Sequence, residues 1–150
     1  MIAPSERAIQ GFTVAELLVA VAIVGILAAI AVPQYSSYIM RSRILDAFAK
    51  LSDHRTRMEQ YFLDRRTYLD DSGNCGVVPA TQAAPADAFQ VACTATARSY
   101  VFTASGVGAK GMAPFVYTID ETGTRRTVSL PGGWARTAAC WTIRADESCV

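Results

Sequence analysis

The sequence predicts an α+β fold, in which a long N-terminal α-helix packs on a C-terminal antiparallel β-sheet. An apolar run covers residues 12–32 and contains a single charged residue, Glu16. A helical pattern without glycine or proline follows over residues 34–69. Short segments rich in β-branched and aromatic residues then alternate with turn residues. The 150 residues suffice for one domain of this kind.

The apolar run is long enough to cross a membrane. Its 21 residues rise by about 32 Å as a helix, which is about the thickness of a bilayer core. A cleaved secretory signal has a shorter apolar region, of about 7–15 residues. The favoured interpretation is therefore an anchor that stays in the protein. Glu16 marks a functional position, because an unpaired carboxylate costs about 2–3 kcal/mol at the middle of a membrane helix.

Beyond this segment, apolar residues recur at helical spacing and predict one helix over about residues 12–65. Kinks are expected at Gly25 and at Pro33, since proline lacks an amide donor and clashes one turn back. The apolar stripe is expected to cover one face of the sheet. It consists of Ile44, Phe48, Leu51, Met58 and Phe62.

The segments after this helix predict an antiparallel meander, because consecutive strands are joined by short links. Residues 78–88 contain two prolines and are expected to form an irregular connection. Residues 120–123 suit a hairpin turn, in which Gly123 takes a positive φ. The predicted strands cover residues 99–104, 115–119, 124–130 and 140–144.

No motif indicates an enzyme, a metal site or a cofactor. The net charge of +1 gives no strong field, and the chain has one histidine, His54, expected at the surface. Any histidine-based catalytic arrangement would have to use His54, so an enzyme is the least favoured class. The four cysteines lack the Cys-x-x-Cys spacing of zinc ribbons and redox motifs. We therefore expect no catalytic residues, no metal ligands and no cofactor.

The start of the apolar run resembles the processing signal of type IV prepilins. The motif consists of residues 11–18, GFTVAELL, and the similarity continues through residues 25–35, GILAAIAVPQY. In that family a dedicated peptidase cuts after the glycine, and the new N-terminal phenylalanine is methylated. The resemblance implies cleavage between Gly11 and Phe12, N-methylation of Phe12, and a role in assembly for Glu16.

The resemblance also implies the type IV pilin fold and its domain organisation. Residues 1–11 are expected to be the leader, residues 12–36 the membrane and filament-core half of the helix, and residues 37–150 a periplasmic globular domain. The chain would be stored in the inner membrane in a single pass and then join a cell-surface pilus. The implied partners are other pilin subunits, the prepilin peptidase and methyltransferase, and the inner membrane.

The layout and residues 61–68, 115–123 and 140–141 look most like the minor pilins of the PilE type. Such a subunit would assemble into or prime filaments for twitching motility, adhesion or DNA uptake. Two alternatives share the N-terminal signature: a type II secretion pseudopilin, and a DNA-binding or adhesive minor pilin. DNA is the weaker candidate partner, with Arg125 and Arg126 on opposite faces of a predicted strand.

Arg41 and Arg43 follow the membrane segment, whereas residues 1–10 carry one basic side chain. The positive-inside rule therefore gives no support to a cytoplasmic N-terminus. The cysteines and the processing motif favour the periplasmic placement, because an even number of cysteines beyond a membrane segment suits disulfides in an oxidising compartment.

Cys75, Cys93, Cys140 and Cys149 allow three pairings, and the sequence alone does not choose among them. Pairing of sequence neighbours is favoured. A Cys75–Cys93 disulfide would close the loop after the long helix. A Cys140–Cys149 disulfide would hold the C-terminal segment against the last strand, as the C-terminal disulfide loop of pilins does.

Overall fold

The structure, a computed structural model, describes residues 12–79, 87–135, 139–146 and 149–150. The chain divides into two compact units, Met1–Tyr38 and Ile39–Val150. A long helix is followed by four strands, with a short 3-10 helix, Gly108–Lys110, between the second and third strands. The helix α1 covers Val14–Arg65, and the strands are β1 Phe89–Ala95, β2 Tyr100–Gly106, β3 Val116–Asp120 and β4 Arg125–Ser129.

The four strands form one antiparallel sheet in the order β1-β2-β3-β4. Phe102 lies at its centre, opposite Cys93 of β1 and Ile119 of β3. Ile119 in turn lies opposite Arg125 of β4, and the β3–β4 register shifts between Val116 and Tyr117. Consecutive strands are neighbours in the sheet and antiparallel, so the predicted meander and the α+β fold class are confirmed.

The apolar stripe of α1 covers one face of this sheet, as predicted. Ile44, Leu51 and Met58 are fully buried, and Phe48 is almost so. These side chains share one core cluster with alternate residues of the strands. The strand residues of that cluster are Phe89, Val91, Tyr100, Phe102, Ala104, Tyr117 and Ile119.

Two segments differ from the prediction. β1 was not expected: its buried and exposed positions alternate as in a strand, but Ala92 and Ala95 have low strand propensity and the segment follows a proline-containing stretch. The strand predicted over residues 140–144 is wrong: this segment forms only an isolated bridge, between Thr142 and Cys149. Its backbone pairs with the last residues of the chain, since the amides of Trp141 and Val150 each donate to the other's carbonyl at 3.1 Å. This pairing is too short to form a strand.

The β3–β4 turn is built by side-chain hydrogen bonds, and Gly123 has φ +80° as predicted. The Asp120 carboxylate accepts hydrogen bonds from the amides of Thr122 and Thr124, at 3.0 and 2.9 Å, and from the Thr122 hydroxyl at 2.6 Å. Burial alone would raise the pKa of Asp120, but these donors hold the pKa below its ordinary value. At the end of β2, a Cβ on Gly106 would collide with the Met112 carbonyl.

His54 is only half-exposed, which differs from the surface position expected for it. Its ring stacks on Phe102 with centroids 5.3 Å apart. Its Nδ1 atom is buried and has no hydrogen-bond partner among the described residues. Burial, aided by the charges of Arg57 and Lys50, lowers the pKa of His54, while Asp53 opposes that shift.

We expect His54 to make the free energy of unfolding depend on pH. Above the ordinary histidine pKa of about 6.5, the imidazole is neutral in both the folded and the unfolded chain and has no effect. Below that pKa, the unfolded chain takes up a proton more readily than the folded chain. The free energy of unfolding therefore decreases as the pH is lowered. Denaturation of the full chain in detergent micelles at pH 7.5 and pH 5 should show a larger fall for wild type than for His54→Gln. Equal falls would contradict this role.

Candidate functional site

The N-terminal half of α1 presents an apolar surface that the chain itself does not cover. Its large apolar side chains, from Phe12 to Val32, are between 52% and 89% exposed. α1 is long and apolar enough to cross a membrane, and nothing in the described residues buries its most apolar stretch. Exposure of this much apolar surface indicates a lipid or protein partner.

The helix begins with a capping box formed by Thr13 and Glu16. The Thr13 hydroxyl accepts a hydrogen bond from the Glu16 amide at 3.2 Å. The Glu16 carboxylate accepts one from the Thr13 amide at 3.2 Å and one from the Thr13 hydroxyl at 3.1 Å. Each side chain thus satisfies an amide that the first turn leaves without a partner. In the isolated chain, Glu16 therefore stabilises the start of its own helix.

Of the other predicted N-terminal site residues, Gly11 lies outside the described residues, and Phe12 is 89% exposed. α1 continues through both Gly25 and Pro33. The hydroxyls of Ser36 and Ser37 donate to the Pro33 carbonyl at 2.9 and 3.2 Å. The kinks expected at Gly25 and Pro33 stay predictions.

The four cysteines form two disulfides, Cys75–Cys93 and Cys140–Cys149, with Cα atoms 6.2 and 5.7 Å apart. The first joins the loop after α1 to the edge strand β1. The second closes the C-terminal segment next to the reciprocal backbone hydrogen bonds of Trp141 and Val150. Each disulfide therefore holds in place one segment outside the strands, the loop after α1 in the first case and the C-terminal segment in the second.

A carboxylate on α1, Glu59, joins the helix to the sheet. Its two oxygens accept hydrogen bonds from the hydroxyls of Tyr100, at 2.7 Å, and Tyr68, at 3.3 Å. Burial, together with the neighbouring carboxylate, raises the pKa of both tyrosines. The Glu59 carboxylate and the two tyrosine hydroxyls thus serve to hold the helix against the sheet. The described residues contain no cluster of three or more histidine, cysteine or carboxylate groups that could hold a metal ion.

The structure separates the two arginines first considered for DNA binding. The guanidinium of Arg125 lies over the ring of Trp141, with its central carbon 4.9 Å from the ring centroid. Arg126 is exposed and lies opposite Thr118 in the neighbouring strand. Of these two arginines, Arg126 has no aromatic contact within the part of the chain that the structure describes.

Two other arginines, Arg66 and Arg98, lie on segments that meet beyond the C-terminal end of α1. Arg66 follows the last helical residue with φ +58°, and Arg98 lies in the turn between β1 and β2. The Tyr68 amide donates to the Ala97 carbonyl at 3.3 Å and joins these two segments. Both arginines are exposed. The sequence gives no signal for this pair, because 31 residues separate its members and no local pattern connects them.

Several curated proteins are similar to part of this chain. The fimbrial protein EcpC of Eikenella corrodens is 37% identical over 68 residues, which are 45% of this chain and 44% of that protein. The type IV major fimbrial protein FimA of Dichelobacter nodosus is 44% identical over 66 residues, which are 44% of this chain and 40% of that protein. The type IV major pilin protein PilE of Neisseria gonorrhoeae is 35% identical over 68 residues, which are 45% of this chain and 41% of that protein. The chain spans about two fifths of the length of these relatives.

Two family models match the chain. The prokaryotic N-terminal methylation motif covers residues 7–32. The model described as type IV minor pilin ComP, DNA uptake sequence receptor, covers residues 33–113, more than half of the chain. Together with the long helix on a four-stranded antiparallel sheet, this match shows that the chain belongs to the ComP family of type IV pilins.

Proposed function

We propose that the chain is a minor subunit of a type IV pilus, stored in the inner membrane and then assembled into the filament. The exposed apolar half of α1 is the observation that carries this proposal. Lipid tails cover that surface before assembly, and the helices of neighbouring pilin subunits cover it afterwards. Small residues along the helix, such as Ala22, Gly25 and Ala29, permit close approach of neighbours.

In this proposal the prepilin peptidase removes residues 1–11 and leaves a methylated amine on Phe12. The match to the N-terminal methylation motif supports processing at this place. The globular domain lies on the periplasmic side, where an oxidising environment suits the two disulfides. Glu16 then lies within reach of the amine of a neighbouring subunit.

A second candidate function is the binding of duplex DNA by the exposed domain. The description of the matching family as a DNA uptake sequence receptor favours it. The exposed pair Arg66 and Arg98 lies within the matched region, whereas Arg125 and Arg126 lie outside it. Two guanidinium groups at one end of the domain suit contacts to DNA phosphates, which position a protein without reading sequence.

Processing can be tested directly on protein isolated from membranes. We expect N-terminal mass spectrometry to find N-methyl-Phe12 as the first residue. Glycine suits the cut site, because a side chain at position 11 would obstruct the approach of the protease to the backbone. A mature chain that still begins at Met1, or one cut after Ala31, would contradict the proposal.

The proposed role of Glu16 in filament assembly can be tested separately from its role in helix capping. At about 4 Å and an effective dielectric near 20, pairing with a neighbouring amine is worth about 4 kcal/mol before desolvation. We therefore expect Glu16→Val to be cleaved and inserted in the membrane but poorly incorporated into filaments. Thr13→Val is the matched control, because it removes the capping hydroxyl and keeps the carboxylate. Incorporation is measured by immunoblotting of sheared pili from cells that also express the major pilin.

If Thr13→Val were lost from filaments to the same extent as Glu16→Val, capping rather than pairing would explain the defect. Normal incorporation of Glu16→Val would contradict intersubunit pairing altogether.

For DNA binding, we expect Arg66→Ala/Arg98→Ala to weaken affinity uniformly across duplex sequences. The slope of log affinity against log salt should become shallower by about 1.8, since each phosphate contact contributes about 0.9. Fluorescence anisotropy with the full chain in micelles measures both quantities. Arg126→Ala is the control, and its slope should match that of wild type. A slope unchanged in the double variant would contradict the assignment.

A further inference from the structure

We propose that Arg41, Arg43 and Lys110 form a cationic collar that binds the phosphates of anionic phospholipids in the membrane that holds α1. The inference rests on the proposed storage of the subunit in a membrane. It also gives a role to the two arginines that break the usual charge asymmetry around a membrane helix.

The two segments that supply the collar carry positive charge and no acidic residue. No aspartate or glutamate occurs in residues 33–45 or in residues 106–114, the two segments that supply the three cations. The next carboxylate along α1, Asp46, forms an ion pair with Lys50 at 3.1 Å. Within the part of the chain that the structure describes, no ion pair involves Arg41, Arg43 or Lys110.

Arg41, Arg43 and the backbone of Lys110 lie at about the same level along α1. Arg41 and Arg43 differ in height by only about 3 Å, at 1.5 Å per helical residue. The Arg43 Nη1 atom donates to the Lys110 carbonyl at 2.8 Å and so fixes the 3-10 helix beside this level. That bond uses one of the five guanidinium N–H donors, and the other four remain for a ligand. All three residues are partly exposed.

The arrangement suits a surface better than a small ligand. Residues two apart in a helix project about 200° from one another, so Arg41 and Arg43 lie on opposite sides of α1 and cannot converge on one anion. A membrane that holds the apolar half of α1 presents a layer of phosphates all round the helix at the point where the helix leaves the bilayer. A planar layer of phosphates can therefore contact cations on both sides of the helix at once.

The position along the chain also matches the headgroup layer. Two exposed tyrosines, Tyr35 and Tyr38, follow the apolar run, and tyrosine is enriched where membrane meets water. Arg41 comes nine residues after Val32, about 13 Å along a helix. Helical side chains tilt toward the N-terminus, and arginine places its charged end well away from its backbone. The guanidinium group can therefore extend back toward the phosphates.

The test uses the full chain in nanodiscs of equal phosphatidylglycerol and phosphatidylcholine. Native mass spectrometry counts the lipids that remain bound after release from the disc. One cation near an anionic surface favours anionic lipid by about fivefold, so we expect wild type to retain phosphatidylglycerol over phosphatidylcholine by about tenfold or more. Arg41→Gln/Lys110→Gln should lower this ratio by at least about fivefold. That variant leaves the Arg43 contact to the Lys110 backbone in place.

Arg66→Gln/Arg98→Gln is the matched control, because it removes the same charge from the other end of α1 and should keep the wild-type ratio. A wild-type ratio near one would overturn the collar alone, as would an equal preference in all three proteins. A normal ratio in Arg41→Gln/Lys110→Gln with loss of that variant from filaments would assign the cations to a neighbouring subunit instead. Failure of wild type to insert into nanodiscs would overturn the proposed membrane storage together with the collar.

Discussion

The globular domain depends on the contacts of one side chain, Phe48. Its ring stacks on Trp141 with centroids 4.6 Å apart and meets Tyr117 edge-on at 4.9 Å. Helix, sheet and C-terminal segment therefore share one aromatic cluster. Two hydrogen bonds complete it: the Trp141 indole donates to the Thr118 carbonyl, and the Tyr117 hydroxyl donates to the Thr142 carbonyl, both at 2.9 Å. These hydrogen bonds offset the cost of removing the two polar groups from water, so the large aromatic rings can be buried here.

This cluster explains how a C-terminal segment without a strand remains in place. Thr127 of β4 donates to the Cys140 carbonyl at 2.7 Å and accepts from the Thr142 amide at 2.9 Å. A side-chain hydroxyl thus provides the hydrogen bonds that a neighbouring strand would supply. The Cys140–Cys149 disulfide then closes a short loop and limits the freedom of the unfolded chain. Packing, hydroxyl contacts and the disulfide act together where backbone pairing is slight.

The sequence predicted the features that depend on periodicity and local turn chemistry. The stripe from Ile44 to Met58 and the positive φ of Gly123 are of this kind. β1 was missed because Ala92, Cys93 and Ala95 contribute little strand propensity, and its pairing with β2 stabilises it instead. The Arg66 and Arg98 pair depends on tertiary contacts between distant segments. The alternation of β1 is visible in the sequence but weak, whereas the contacts between the segments of Arg66 and Arg98 have no signal within a short window.

Glu16 likewise has a local role and a long-range one. Its helix-capping contacts are visible within one chain, whereas its proposed role in assembly requires a second subunit. The capping box gives its carboxylate partners on Thr13, so pairing with a neighbouring amine must replace contacts already made. A charged group at a helix start is worth about 0.3–1 kcal/mol, whereas a close ion pair is worth several times more before desolvation. In the proposed filament, the Glu16 amide would keep its hydrogen bond to the Thr13 hydroxyl when the carboxylate turns outward. The exchange would therefore cost one of the two amide caps, the one on the Thr13 amide, and leave the other in place.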